Sequence, residues 1–140
     1  MGIYPGTDSA SAPGGIVKVI FNPNNNNIRI HMNTVGMDAN CNGINNTIAN
    51  GCGLHIHSGK VCNNSTAVGG HYWTPSTPAD LASPAVDPWL TVKYTSNGDG
   101  KTNEFIRLLG GNGYNFNSNK GHAFVIHGAK GQKISCGVLY

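Results

Sequence analysis

Charge is scarce in this chain: Asp, Glu, Lys and Arg make up 11% of its 140 residues, and 9 basic against 6 acidic side chains leave a formal charge of +3. So small an excess, scattered with no Lys/Arg cluster interleaved with aromatics, argues against a nucleic-acid partner. A mildly basic surface still favours small anions. Long apolar runs are missing too. None approaches the roughly 18 residues of a membrane span, and Met1-Gly2-Ile3-Tyr4 lacks the charged and apolar regions of a signal peptide. The chain is therefore expected to be soluble as written, with any export signal already removed. There is no C-x-x-C pair either, which disfavours a structural zinc site.

What is present is glycine (20 residues), asparagine, and short apolar runs split by turn residues. That pattern belongs to an all-β domain, and the length suits one domain with a hydrophobic core. Residues 1–14 are polar and rich in Gly, Pro and Ser, and are expected to be a loose leader or linker before a single domain over 15–140. The four cysteines, Cys41, Cys52, Cys62 and Cys136, suggest two disulfides and an oxidising compartment, although spacing alone does not set their pairing. A Cys41–Cys52 bridge would close a loop of about 12 residues, worth about 3 kcal/mol in the chain-entropy model. Sequons occur at Asn45, Asn63 and Asn64, but so Asn-rich a chain produces such matches by chance.

The run Gly53-Leu54-His55-Ile56-His57 organises the rest. Between turn residues it reads as a short strand, where alternate side chains share a face: His55 and His57 on one side, Ile56 towards the core. Before it, residues 15–22 and 27–33 form a hairpin through Asn22-Pro23. Ile28, Ile30 and Met32 face inward, and Arg29 and His31 face out, so His31 is a surface histidine. After it, 58–88 is a long irregular segment carrying Gly69-Gly70-His71-Tyr72-Trp73. Its two glycines permit close backbone approach. Trp89–Thr95 alternates as a strand and turns at Asn97-Gly98-Asp99-Gly100 into the strand Asn103–Leu109. Gly110–Gly121 is a connection. In Gly121–Gly128, parity sends His122 inward with Phe124 and Ile126, while His127 stands on the other face at the strand end. Gly131–Tyr140 closes the chain.

His-x-His on one strand, a Gly-Gly-His loop, a Val-Ile-His strand end and the closing Gly-Gln-Lys-Ile-Ser-Cys-Gly-Val, in that order, resemble the copper/zinc superoxide dismutase family from about Gly15 to Leu139. The resemblance implies an eight-stranded Greek-key β-barrel or sandwich with copper outside the wall. It implies His55, His57, His71 and His127 as copper ligands and Cys62–Cys136 as the family disulfide, closing about 75 residues and worth about 4 kcal/mol. Lys133 falls where the family has an anion-attracting arginine, and keeps the charge without the planar fork.

Zinc-containing members draw two further histidines and an aspartate from the loop after His71. This chain has no histidine between His71 and Pro88, so no zinc is expected. The charged loop that roofs the copper is missing as well, since Gly128-Ala129-Lys130 runs almost directly into the last strand. The pattern looks like the copper-only branch, including tandem modules of extracellular proteins, so neighbouring homologous modules are expected partners. Without zinc, the second nitrogen of His71 needs another partner. Asp87 is the candidate, with Asp80 and Glu104 as alternatives. The implied activity is superoxide disproportionation at copper. The competing reading is a copper-binding or sequestration module, and a third is a structural sandwich with vestigial ligands. An oxidative histidine brace is disfavoured because it needs an N-terminal histidine.

Overall fold

The computed structural model describes residues 1–7, 13–75 and 86–140. Seven strands are found among them: β1 (Gly2–Ile3), β2 (Gly14–Phe21), β3 (Ile28–Val35), β4 (Leu54–His57), β5 (Thr102–Leu108), β6 (Ala123–His127) and β7 (Lys133–Val138). They form two antiparallel sheets, ordered β1-β7-β6-β4 and β2-β3-β5. The expected all-β class is found. The two sheets do not close into a barrel among the described residues, and an eighth strand is absent there.

Alternation builds the core. Ile28, Ile30 and Met32 of β3 meet Leu54 and Ile56 of β4 and Phe124 and Ile126 of β6 in one buried cluster with Trp89, Val92 and Tyr94. Burying each such side chain contributes about 1.5–3 kcal/mol. Ala123 and Val125, on the other side of β6, close a smaller cluster with Tyr4, Val68 and Cys136. β6 is therefore buried on both faces.

Three segments depart from the sequence reading. Trp89–Thr95 is not a strand: Pro88–Thr91 is a 3-10 turn, and only Lys93 then bridges to Gly53. The reason is local, because Pro88 suits a first helical position and Asp87 caps the turn by accepting from the Trp89 backbone N–H at 2.9 Å. Within 110–121 a short helix, α1 (Phe116–Asn119), is capped by the Asn115 side chain, which accepts from Ser118 N–H. The start of the leader is not loose: Gly2–Ile3 pairs with Cys136 and Ser135 of β7, and Tyr4 is buried. Tyr4, the residue after the pair, donates its backbone N–H to Ile134 O at 3.1 Å and buries its ring in the cluster of Val68, Val125 and Cys136, which docks the segment.

Lys93 is 7% exposed and donates through Nζ to the carbonyls of Gly51 (2.8 Å) and Asn45 (3.0 Å), with Ile48 O at 3.4 Å. Its ammonium thereby orders the loop before β4. Both disulfides are formed, Cys41–Cys52 and Cys62–Cys136, closing 11 and 74 residues of separation. Two bridges fit an oxidising compartment, and no helix among the described residues is long and apolar enough to cross a membrane. Replacing Cys62 and Cys136 together by Ala is expected to lower the unfolding free energy by about 4 kcal/mol, against about 3 kcal/mol for the Cys41/Cys52 pair. Urea denaturation of the two double variants measures the difference.

Candidate metal centre

β4 is an edge strand of its sheet, and two short segments cover its free side. At its start, Leu54 N–H donates to Val92 O and Tyr94 N–H to Cys52 O. At its end, Tyr72 N–H donates to Ile56 O at 2.7 Å and Ser58 N–H to Gly70 O at 2.8 Å, so His71 stands directly across from His57. Across the sheet's other side, the His127 backbone N–H donates to Gly53 O at 2.9 Å. His55, His57, His71 and His127 are thereby brought into one group, with one nitrogen from each ring within 4.8 Å of the others. Nitrogens on one ion at about 2.0 Å each stand at most roughly 4 Å apart, so a contraction of less than about one ångström would bring all four to ligand distance.

Hydrogen bonds fix which nitrogens face inward. His57 Nδ1 lies 2.8 Å from Gly69 O, and His127 Nδ1 2.8 Å from Gly131 O. A carbonyl only accepts, so each Nδ1 carries the proton and each Nε2 is left a bare acceptor. His71 Nδ1 donates to Asp87 Oδ2 at 2.5 Å, and the other carboxylate oxygen of Asp87 holds the 3-10 turn. Buried His57 Nε2, His127 Nε2 and His55 Nδ1 have no hydrogen-bond partner. Buried polar atoms are rarely left unpaired. Three such orphans in one cluster with His71 form a donor set that could hold a metal ion.

Glycine makes two of these placements possible. Gly69 holds its carbonyl towards His57 from a φ of 72°, which L side chains rarely adopt. A Cβ on Gly53 would overlap the His55 ring. Trp89 packs behind that ring, with centroids 6.3 Å apart, and donates through Nε1 to Tyr72 O at 2.9 Å. The tight turn after β6 is braced by Asp38, which accepts from Ala129 N–H at 2.8 Å. Burial alone would raise the Asp38 pKa, but that bond and those from Asn40 and Gln132 hold it below the usual carboxylate value.

Burial makes three of the rings, His55, His57 and His127, reluctant to take protons. It pushes His57 and His127 each down to about 4, and the Gly69 and Gly131 carbonyls only partly offset this, while neighbouring His71 and Lys133 add to the depression. His55 is lowered further, by burial and then by His71, His127, His57 and Lys93. His55, His57 and His127 are therefore neutral, as metal ligands must be.

Lys133 sits opposite His127 in the β6–β7 register. Its ammonium donates to Tyr4 Oη at 3.3 Å and stands 5.3 Å from the centre of that ring, while Tyr4 Oη donates to Ser65 O at 3.1 Å. Sequence reading did not find Tyr4, since an isolated Tyr in a polar leader carries no periodic signal. His122 is not in the cluster: its Nδ1 donates to His57 O at 3.1 Å and its ring stacks on Tyr72. His31 lies on the outer face of β3, stacked on Phe105. Glu104 binds Thr95 and Thr102 rather than His71, and Asp80 lies outside the described residues.

No protein-family model matches this chain, and no curated protein matches it.

Because the folded pKa of His57 and His127 lies below the unfolded value of about 6.5, protons bind the unfolded chain more tightly between the two. Metal-free stability is then full above pH 6.5 and is lost as the pH falls through about 4, which thermal melts across that window would show. Asp87→Ala should weaken metal binding by about 10–100-fold, measured by competition with a chromogenic chelator.

Proposed function

We propose that this chain is a copper-only, superoxide-dismutase-like module. In this reading His55, His57, His71 and His127 hold one copper ion, and superoxide is disproportionated there to dioxygen and hydrogen peroxide. The observation that carries it is the set of orphaned imidazole nitrogens sharing one space with His71. An all-nitrogen donor set suits Cu(II), which heads the divalent affinity order. Bound copper would supply one-electron exchange, oxidising one superoxide to dioxygen and reducing the next, with two protons, to hydrogen peroxide.

The remaining work falls to the chain's own residues. His71 comes from a bridging segment rather than a strand, and it is the one ring of the four that is not fully buried. Its Nε2 would face the ion and is the ligand nitrogen nearest to solvent, placed to pass a proton to the product, while Asp87 keeps the ring oriented through Nδ1. Lys133 provides a positive field for the incoming anion, as a compact charge without arginine's paired donors. The two antiparallel sheets are compatible with the Greek-key arrangement of that family. The lack of any histidine between His71 and Pro88 favours the branch without zinc. Two disulfides suit an extracellular setting, alone or beside homologous modules.

A second reading, copper sequestration, is favoured by the burial of three of the four rings, since buried ligands suit retention of an ion as well as turnover. One experiment separates the two: dismutation by protein carrying one equivalent of Cu(II), with metal content assayed and His127→Ala as control. Fast copper-dependent turnover that is lost in the variant is the expected result. Stoichiometric binding with turnover no better than free copper would establish sequestration instead, and failure to bind would overturn both. In the active protein, Lys133→Gln should lower the rate and flatten its dependence on ionic strength.

A further inference from the structure

The outer face of the β2-β3-β5 sheet is independent of the histidine cluster and carries an unusual grid. Ile28, Ile30 and Met32 point into the core, so the intervening residues of β3 point outward. Register sets Asn33 opposite Asn103, His31 opposite Phe105, and Arg29 opposite Arg107. The result is three rungs in sequence, an amide pair, an aromatic pair and a guanidinium pair, spanning about 13 Å along the strands. Lys18 of β2 stands beside His31 and adds a third full positive charge.

Two features of this grid lack an internal purpose. Arginines directly opposite in an antiparallel pair repel one another. No carboxylate among the described residues comes within ion-pair distance of any Lys or Arg. Glu104, the acid nearest in sequence, is taken up by Thr95 and Thr102. Phe105 is 63% exposed on an edge strand, held upright by stacking on His31 at 4.2 Å and 7°. A ring fixed in this way offers its free face to a partner.

We propose that this face binds an acidic polysaccharide. A carboxylate or sulfate group would sit on Arg29 and Arg107, whose forks match such oxygens and whose mutual repulsion it would relieve. The apolar C–H face of a sugar ring would pack on Phe105, and hydroxyls would reach the Asn33 and Asn103 amides, which both donate and accept. Two disulfides suit an oxidising compartment, where such polymers rather than intracellular nucleic acid are met. A bilayer fits less well: the aliphatic residues of the face, Ile16 and Ile20 of β2 and Val35 at the end of β3, lie beside the polar rungs rather than among them, and membrane contact would desolvate the Asn33–Asn103 rung without return.

The test is calorimetric titration of the full chain, at physiological salt, with oligogalacturonate, low-mass dextran sulfate and neutral dextran. Binding of an acidic polymer but not of neutral dextran is expected. Arg29→Ala and Arg107→Ala should each weaken it about tenfold or more, and Phe105→Ala should weaken it further at unchanged melting temperature. Lys60→Ala and Lys120→Ala, outside this sheet, should leave it unchanged. Preference for the uronate or for the sulfate identifies the acid group. Absence of binding overturns the proposal, as do equal losses in the Lys60 and Lys120 variants. Tighter binding of a single-stranded oligonucleotide or of anionic phospholipid vesicles through the same arginines would replace it.

Discussion

The backbone pairing that sets His71 across from His57 on the free edge of β4 is the contact on which the histidine cluster depends. Three of the four rings come from regular strands, where the pleat fixes their direction. His71 comes from an irregular segment, and two hydrogen bonds set its position, from Tyr72 N–H to Ile56 of β4 and to Gly70 O from Ser58 just beyond β4. Those bonds also cover an edge that would otherwise be open to another chain. One stretch of main chain therefore completes the site and protects the sheet.

Around that pairing, each ring is held by something other than its own strand. Gly69 O holds His57, Gly131 O holds His127, the Asp87 carboxylate holds His71, and Trp89 backs His55. Three of these props lie in loops and the fourth in a 3-10 turn. The Gly69 and Gly131 loops are in turn fastened by Cys62–Cys136 and Asp38, and Lys93 fastens the loop that leads into β4. The cost of keeping bare imidazole nitrogens away from water is met by this second layer, which leaves the rings little freedom to find partners of their own.

Much of this was legible in the chain itself, because a period of two is unambiguous on a strand. Parity alone separates His127 from His122 and puts Ile56 opposite His55 and His57, and the structure shows both. Parity failed at Trp89–Thr95, where alternation was real but the Asp87 cap and Pro88 outweighed it. The short helix at Phe116–Asn119 escaped because its only signal is Asn115, one asparagine among many. Tyr4 and the Arg29–Arg107 rung escaped for a different reason. Each depends on residues far apart in sequence that only strand register brings together, so a chain whose charges look scattered still presents a face on which no described carboxylate pairs with Arg29 or Arg107.

Lys93 deserves a different description from that of a buried residue with satisfied donors. The loop from Asn45 to Gly51 turns its carbonyls on a cation, as an ion-binding loop would, but this cation is covalently part of the chain. Its occupancy is fixed at one and owes nothing to the concentration of any ion outside. The Cys41–Cys52 loop and the start of β4 beside it are thus held by a charge that neither dilution nor a chelator can remove.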